Sequence, residues 1–203
     1  MRCYIFGAGS FFGLIKPPLA GSLIIAADGG LSYLEKEGIR PDIICGDFDS
    51  LGKTPFGDNV VCVPVEKDDT DMALAISLGK KKGADEFILY GGTGGRPDHT
   101  MANYQTLCHI AKEGCRGYLI GEHYIATAIH NGKIAFPKGK TGTISVFCMG
   151  KEAIGVSLKG LKYPLDNAEL FPDVPLGVSN SFTGEAAEIS VHDGTLLILW
   201  EEL

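Results

Sequence analysis

The segment LIIAADGG, residues 23–30, carries the pattern that decides the fold of the first half of the chain. It is an apolar run, typical of a buried strand, that ends directly in aspartate and glycine. The runs CYIFGAG (3–9) and EFILYGG (86–92) also end in glycine, and helical spacing of apolar residues occurs in segments such as 70–83. Buried strands that alternate with helices are typical of a parallel sheet covered on both faces. We therefore predict an α/β domain over residues 1–125, with an open, mainly parallel sheet and flanking helices.

The second half of the sequence contains short β-rich runs and no long helical pattern. Turn pairs such as Asn131-Gly132 and Asp193-Gly194 separate these runs, which is typical of antiparallel hairpins. We predict a C-terminal antiparallel β-sandwich domain over residues 126–203.

Composition and charge narrow the possible function classes. The chain of 203 residues has a net charge of −7, and its longest basic run is Lys80 to Lys82, so no nucleic-acid-binding face is expected. The N-terminal MRCYIFGAGS lacks the apolar core of a signal peptide, and no apolar stretch is long enough for a membrane span. The six cysteines form no C-x-x-C pair, which favours reduced thiols over disulfides or zinc. We expect a cytoplasmic protein that binds neither nucleic acid nor membrane.

Aspartates follow the apolar runs at several places in the first half. Asp28 follows one run, Asp47 and Asp49 follow another, and Asp71 stands at the start of a predicted helix. Because the carboxyl ends of parallel strands lie along one edge of a sheet, we expect these carboxylates in one crevice. Asp47 and Asp49 are separated by one residue, so in extended chain both point to the same side. Such hard oxygen ligands predict a Mg²⁺ site; the alternative is that each aspartate caps a helix or stabilises a turn.

A glycine-rich loop, GGTGGR at residues 91–96, directly precedes the helix predicted to start near Pro97. Backbone N–H groups in such a loop, with the helix dipole behind them, suit phosphate oxygens. Arg96 can bind phosphate with two hydrogen bonds or pair with an aspartate, and His99 is a candidate ligand contact. The alternative is a flexible turn with a structural Arg–Asp pair.

Other nucleotide and hydrolase motifs are missing from the sequence. The G-x-G-x-x-x-G spacing of Gly7, Gly9 and Gly13 departs from the dinucleotide-binding fingerprint, so a nicotinamide dehydrogenase is not favoured. The chain contains neither a P-loop nor a G-x-S-x-G nucleophile elbow.

Four motifs, in their order and separation, resemble the thiamine pyrophosphokinase (thiamine diphosphokinase) family. They are ADGG (27–30), GDFDS (46–50), KDDTD (67–71) and GGTGGRPDHTMAN (91–103), with weaker support from GLKYPL (160–165) and VSNSF (178–182). The resemblance implies that the first domain binds ATP and Mg²⁺ and that the β-sandwich domain binds thiamine. It implies a homodimer in which thiamine lies between the first domain of one subunit and the second domain of the other. The implied reaction transfers the pyrophosphoryl group of ATP to the hydroxyethyl oxygen of thiamine and gives thiamine diphosphate and AMP.

The resemblance also implies roles for individual residues. The implied metal ligands are Asp47, Asp49, Asp71 and Asp28. The implied nucleotide-binding residues are Asp28, Gly29, Gly30, Ser50, Asp68, Thr70, Gly92, Thr93, Gly94, Arg96 and His99. The implied catalytic residues are Asp71, Asp98 and Arg96, with Asp71 the first candidate for accepting the hydroxyl proton and Asp98 the second. The implied thiamine-binding residues are Tyr163, Ser179, Asn180 and Asp71.

Two positions depart from the family pattern. Tyr163 stands where many relatives carry tryptophan, and Lys67 stands where relatives often carry glutamine. An aromatic ring at position 163 would stack on the thiamine ring system, with a smaller contact area for tyrosine than for tryptophan.

Two other function classes remain open at this point. A metal-dependent nucleotide phosphohydrolase could use the same aspartates and glycine loop with water as the acceptor. A regulatory module could bind nucleotide and Mg²⁺ without turnover. Only the transferase needs a second domain for an organic acceptor.

Overall fold

A computed structural model describes residues 1–46, 60–62 and 70–202; for Cys62 it describes the backbone only. The described residues form two compact units. Unit 1 lies within residues 1–103 and 119–122, and unit 2 lies within residues 104–118 and 123–203. The domain boundary expected after residue 125 stays a prediction.

The elements of the first part of the chain alternate between strands and helices, as the sequence predicts. They are β1 (Arg2–Phe6), β2 (Leu23–Ala27), α1 (Leu31–Lys36), β3 (Ile43–Gly46), β4 (Val60–Cys62), α2 (Asp71–Lys81), β5 (Glu86–Tyr90), α3 (Pro97–Lys112) and β6 (Arg116–Gly121). The strand order among these elements is β6-β5-β1-β2-β3-β4, and β1 pairs in parallel with both β2 and β5. The pairs β2–β3 and β3–β4 are also parallel. The predicted parallel sheet is therefore confirmed.

The core of unit 1 lies around the central strand β1. Residues Cys3 to Phe6 are buried on both faces of the sheet, which explains the continuous apolar run in the sequence. Helix α2 packs close to this strand because Gly79 has no side chain. A Cβ atom there would lie 2.9 Å from Cε1 of Phe87 and 3.1 Å from Sγ of Cys3. Each large apolar side chain in such a core contributes about 1.5–3 kcal/mol of stability.

Unit 2 contains two groups of antiparallel strands. Its strands are β7 (Tyr124–His130), β8 (Lys133–Phe136), β9 (Thr143–Cys148), β10 (Ala153–Lys159), β11 (Leu165–Leu170), β12 (Asn180–Ser181), β13 (Ala187–Ser190) and β14 (Thr195–Glu201). One group has the order β12-β9-β14-β7 and the other β11-β10-β13-β8, with antiparallel pairing in both. Phe136 of the second group meets Trp200 of the first edge to face, with ring centroids 5.2 Å apart. The predicted antiparallel β-sandwich is confirmed.

Two further expectations concern membranes and cysteines. Among the described helices, none is both long and apolar enough to cross a membrane. In the same part of the chain, Cys3, Cys108, Cys115 and Cys148 are free thiols. Burial raises the pKa of the Cys3 thiol to about 12, so this side chain stays protonated and unreactive at neutral pH.

Candidate functional site

A cavity of about 360 Å³ lies in unit 1, where strands β1, β2 and β5 end. Its wall comes from the loops after these strands, from the start of α2 and from the first two turns of α3, as expected for a parallel sheet. The lining residues are Gly7, Ala8, Gly9, Ala27, Asp28, Thr70, Asp71, Met72, Gly91, Gly92, Thr93, Gly95, Arg96, His99, Thr100 and Asn103.

The loops after β1 and β5 are joined by backbone hydrogen bonds. The N–H of Gly7 donates to the carbonyl of Tyr90 and the N–H of Gly9 donates to the carbonyl of Gly91, each at 2.8 Å. Gly91 has a φ of +64°, and a Cβ atom there would lie only 2.2 Å from the carbonyl oxygen of Gly7. Glycine is therefore required at position 91 both by backbone conformation and by the close approach of the two loops.

The glycine-rich loop 91–96 contains hydrogen-bond donors that have no partner in the described part of the chain. The Thr93 side chain is 5% exposed, and its hydroxyl has no hydrogen-bond partner within the described part of the chain. In those same residues, the backbone N–H groups of positions 92 to 95 also donate no hydrogen bond. A buried hydroxyl without a partner loses its bonds to water, so it marks a place where a ligand supplies the missing partner.

Two predicted carboxylates line the same cavity. Asp28 follows β2 with a φ of +50° and is 8% exposed, and Asp71 is the first residue of α2. Thr70 caps this helix, because its hydroxyl accepts a hydrogen bond of 3.2 Å from the N–H of Ala73. Carboxylate oxygens are the hard donors that Mg²⁺ prefers, and two direct carboxylates are enough when water and phosphate complete its shell. The donor set therefore fits this ion.

Gly30 is needed for packing. A Cβ atom at Gly30 would lie 1.8 Å from the carbonyl oxygen of Phe6, so the turn after β2 could not pack against β1. Neither Gly29 nor Gly30 lines the cavity. Gly94 also lies outside the lining, next to Ser10, whose hydroxyl donates to its carbonyl at 3.0 Å.

Arg96 and Asp98 form an exposed ion pair at the start of α3. Two guanidinium nitrogens of Arg96 donate to the two carboxylate oxygens of Asp98, at 3.1 and 2.5 Å. The Arg96 hydrogen bonds lower the pKa of Asp98, and the N–H of His99 adds a hydrogen bond of 3.0 Å in the same direction. Arg96 and His99 line the cavity, whereas Asp98 does not.

Three of the four predicted thiamine-binding residues, Tyr163, Ser179 and Asn180, lie in unit 2, whereas Asp71 lies in unit 1. Asn180 is 3% exposed, and its carboxamide accepts from the N–H of Tyr163 at 2.9 Å and donates to the carbonyl of Tyr163 at 2.7 Å. It also accepts from the N–H of Ser181 at 2.9 Å. The Tyr163 ring is 59% exposed, with Nζ of Lys162 at 5.4 Å from its centroid. Ser179 has a φ of +59°, and its N–H donates to the hydroxyl of Ser145 at 3.1 Å.

Several predicted site residues lie outside the described residues. These are Asp47, Asp49, Ser50 and Asp68, and their roles stay predictions. Within the described ranges, no group of three or more histidine, cysteine, aspartate or glutamate side chains is placed to hold a metal ion.

Sequence reasoning missed part of the cavity wall. Gly7 and Gly9 were considered only as a dinucleotide fingerprint, although a glycine pair directly after the first strand also allows a second loop to approach closely. Asn103 ends the motif GGTGGRPDHTMAN, and the motif alone assigns it no role. It is four residues after His99, so the helical repeat places both side chains on one face of α3, and both line the cavity.

Comparison with known proteins gives a consistent result. Residues 20–119 match the family model described as "Thiamin pyrophosphokinase, catalytic domain", and residues 131–196 match "Thiamin pyrophosphokinase, vitamin B1 binding domain". The chain is 29% identical to the thiamine pyrophosphokinase of Bacillus subtilis over 185 residues, which cover 88% of this chain and 86% of the relative. It is 26% identical to thiamin pyrophosphokinase 1 of Caenorhabditis elegans over 88% of this chain and 78% of the relative.

The fold agrees with these sequence matches. The crystal structure of thiamine pyrophosphokinase from Bacillus subtilis superposes with a TM-score of 0.87, covering 100% of this chain and 99% of that chain at 26% identity. The phosphohydrolase alternative receives no support from these comparisons.

Proposed function

The chain belongs to the thiamine pyrophosphokinase family, and on that premise we propose that it transfers the pyrophosphoryl group of ATP to the hydroxyethyl oxygen of thiamine. The products are thiamine diphosphate and AMP. The observation that carries this proposal is the unpartnered hydroxyl of Thr93 in a cavity that it shares with Asp28, Asp71 and Arg96. Such a cavity combines donors for phosphate oxygens with carboxylates for a cation that accompanies the phosphates.

The polyphosphate of ATP is proposed to lie against the glycine-rich loop. The Thr93 hydroxyl and the N–H groups of the lining residues Gly92, Thr93 and Gly95 donate to its oxygens, and Arg96 adds a positive charge at the cavity. The volume of about 360 Å³ is within the range of small-molecule sites. His99 and Thr70 are proposed to contact the nucleotide from the helix starts, together with Gly92. Gly29, Gly30 and Gly94 are proposed to shape the loops that surround the nucleotide. Ser50 and Asp68 are the remaining nucleotide-binding residues, and they are proposed from the sequence.

Asp28 and Asp71 are proposed to hold Mg²⁺ together with Asp47 and Asp49, which lie outside the described residues. When bound, the ion neutralises phosphate charge and polarises the phosphoryl group for attack. The protein's own contribution is to position ATP and thiamine and to keep positive charge near the transferred group.

Asp71 is the proposed acceptor of the thiamine hydroxyl proton, because it lines the cavity, whereas Asp98 does not. Arg96 also lowers the pKa of Asp98 and so makes that carboxylate a weaker base. Asp98 is therefore the second candidate, and its contribution to catalysis is to orient the guanidinium of Arg96.

Thiamine is proposed to bind at the unit 2 loop that carries Tyr163 and Ser179, with Asn180 acting through Tyr163. An exposed aromatic face suits a flat, positively charged ring.

By the family resemblance we propose a homodimer, with thiamine also in reach of Asp71 of the partner subunit. Exposed apolar side chains in unit 2 support an interface there; they are Phe171, Val174, Leu176 and Val178.

The proposed division of labour assigns ATP and Mg²⁺ to residues 1–125 and thiamine to residues 126–203. We also propose the cytoplasm as the location. The free thiols of Cys3, Cys108, Cys115 and Cys148 in the described part of the chain agree with a reducing compartment.

Phosphorus NMR of the purified protein with ATP and Mg²⁺ tests the reaction, with and without thiamine. We expect AMP and thiamine diphosphate to appear together, and only when thiamine is present. Equal formation of AMP or ADP without thiamine would mean hydrolysis and would overturn the acceptor assignment. No turnover with ATP bound would favour a regulatory module instead.

A further inference from the structure

Five backbone carbonyl groups around the proposed phosphate site are held by donors from the protein. These carbonyls belong to the loop after β1 and to the glycine-rich loop after β5, and their donors include three side chains. The pairs are Gly9 with the Tyr33 hydroxyl at 2.7 Å, Gly91 with Gly9 N–H at 2.8 Å, Gly92 with the Asn103 amide at 2.8 Å, Thr93 with Ser10 N–H at 2.8 Å and Gly94 with the Ser10 hydroxyl at 3.0 Å.

The direction of each carbonyl fixes the direction of the next N–H group. In a planar trans peptide, the C=O of one residue and the N–H of the next point in opposite directions. Carbonyls 91 to 94 point towards protein donors, so the N–H groups of residues 92 to 95 point away from those donors. These four N–H groups donate no hydrogen bond within the described residues. The loop therefore keeps its acceptors occupied and its donors available.

This arrangement matters because the loop ligand proposed above is an anion. A carbonyl oxygen that turned towards a phosphate would repel it, whereas an N–H group attracts it. Glycine allows such a turn, because its backbone conformations are less restricted than those of other residues. A loop with this composition needs restraints from outside to keep one orientation.

We propose that Tyr33 is a positioning residue of the phosphate site, an inference that rests on the proposed function. Its hydroxyl holds the carbonyl of Gly9, which lines the cavity, while Tyr33 itself does not. The N–H of the same peptide unit, on Ser10, is held by the carbonyl of Thr93, so both ends of that peptide are restrained. Asn103, which itself lines the cavity, holds the carbonyl of Gly92 in the same way through a hydrogen bond from its side-chain amide.

Tyr33→Phe tests this role with little change in shape. The phenyl ring keeps its stacking on Phe11, whose centroid lies 5.1 Å away, and only the hydroxyl is lost. The matched control is Thr127→Val in unit 2, which also removes a 2.7 Å hydroxyl bond to a backbone carbonyl, that of Gly117. Both variants are expected to have a slightly lower Tm, so stability alone does not separate them.

Calorimetric titration with ATP, inorganic triphosphate and adenosine distinguishes Tyr33→Phe from Thr127→Val by their affinities for these ligands. For Tyr33→Phe we expect about two- to tenfold weaker binding of ATP and triphosphate, the size of one net hydrogen bond, with adenosine unchanged. Thr127→Val should bind all three ligands as the wild type does. Asn103→Leu should repeat the Tyr33→Phe pattern.

Two outcomes would overturn the positioning role. One is a Tyr33→Phe protein that binds triphosphate as tightly as the wild type. The other is a loss of adenosine binding equal to the loss of triphosphate binding, which would indicate general damage to the site. A wild-type protein that binds neither ATP nor triphosphate would instead remove the proposed function, and this inference with it.

Discussion

The cavity of unit 1 and the Tyr163 loop of unit 2 are built by opposite means. In the cavity, glycines bring two backbone loops into direct contact, and the N–H groups of residues 92 to 95 donate no hydrogen bond within the described residues. In the Tyr163 loop, a buried side chain, Asn180, holds the backbone and leaves an aromatic ring exposed. The first arrangement suits an anion with many oxygens, and the second suits a flat cation.

The difference shows which substitutions each region tolerates. A backbone site depends on the absence of side chains, so adding one methyl group is harmful. A side-chain site depends on particular functional groups, so removing one is harmful.

The most severe break is expected for Gly91→Ala. The new Cβ atom would lie 2.2 Å from the carbonyl oxygen of Gly7, and residue 91 has a φ of +64°. The steric overlap and the backbone strain would both destabilise the protein. We expect a loss of about 2–5 kcal/mol in the free energy of unfolding, measured by urea denaturation, and a loss of activity. Gly38→Ala is the control, since it has a φ of +67° with no atom within 4 Å, and should cost only about 1–2 kcal/mol. Equal losses for the two variants would show that loop contact does not matter.

Asn180→Ala should be the most damaging change in the Tyr163 loop. It leaves the N–H and carbonyl of Tyr163 and the N–H of Ser181 without their partner. We expect a loss of about 2–3 kcal/mol in stability and a raised KM for thiamine, with the KM for ATP unchanged. Thr183→Ala removes an exposed hydroxyl bond to Gly160 in the same region and should change neither KM. A parallel rise in both KM values for Asn180→Ala would argue against a role confined to thiamine.

Thr93→Val sharpens the comparison because the hydroxyl it removes has no partner in the described residues. Folding stability should stay the same or rise slightly, since no protein hydrogen bond is lost. The KM for ATP should rise about three- to tenfold, because the nucleotide loses one hydrogen bond. Steady-state kinetics and thermal unfolding measure both effects. A clear loss of stability with normal KM would assign the hydroxyl a structural role.

The smallest effect is expected for Asp98→Asn. Because hydrogen bonds from Arg96 lower the pKa of Asp98 below its ordinary 3.8, this carboxylate is ionised throughout the neutral range. The ion pair is present above that ordinary pKa and is lost only as the pH falls through the lowered value. The variant should keep the shape of the pH–rate profile between about pH 5 and 9, with turnover reduced a few-fold through misplacement of Arg96. Disappearance of the acidic limb of the profile would identify Asp98 as the base.

Much of the fold could be predicted from local patterns. The buried run of β1 and the helical spacing of α2 each depend on neighbours a few residues away, and both elements lie where the pattern predicts them. The same holds for Pro97 at the first position of α3. Asp28, Asp71, Thr93 and Arg96 were identified from motifs at strand ends, and the structure places all four on one cavity.

The remaining features depend on contacts between distant parts of the chain. Tyr33 and Gly9 are 24 residues apart, and Asn180 and Tyr163 are 17 residues apart. The local sequence around these residues does not predict these hydrogen bonds. A tyrosine in a short helix or an asparagine near a strand can equally face solvent or stabilise a turn.

The sequence by itself determined the strand and helix pattern, the family and the residue types available for phosphate and metal binding. Those properties follow from local periodicity and from ordered motifs along the chain. The tertiary structure decided which carbonyl groups are occupied, which hydroxyl is left unpartnered and which side chains hold others in place. These features arise only when the ends of β1, β2 and β5 come together, because a hydrogen bond is satisfied or unsatisfied only in relation to neighbours in space.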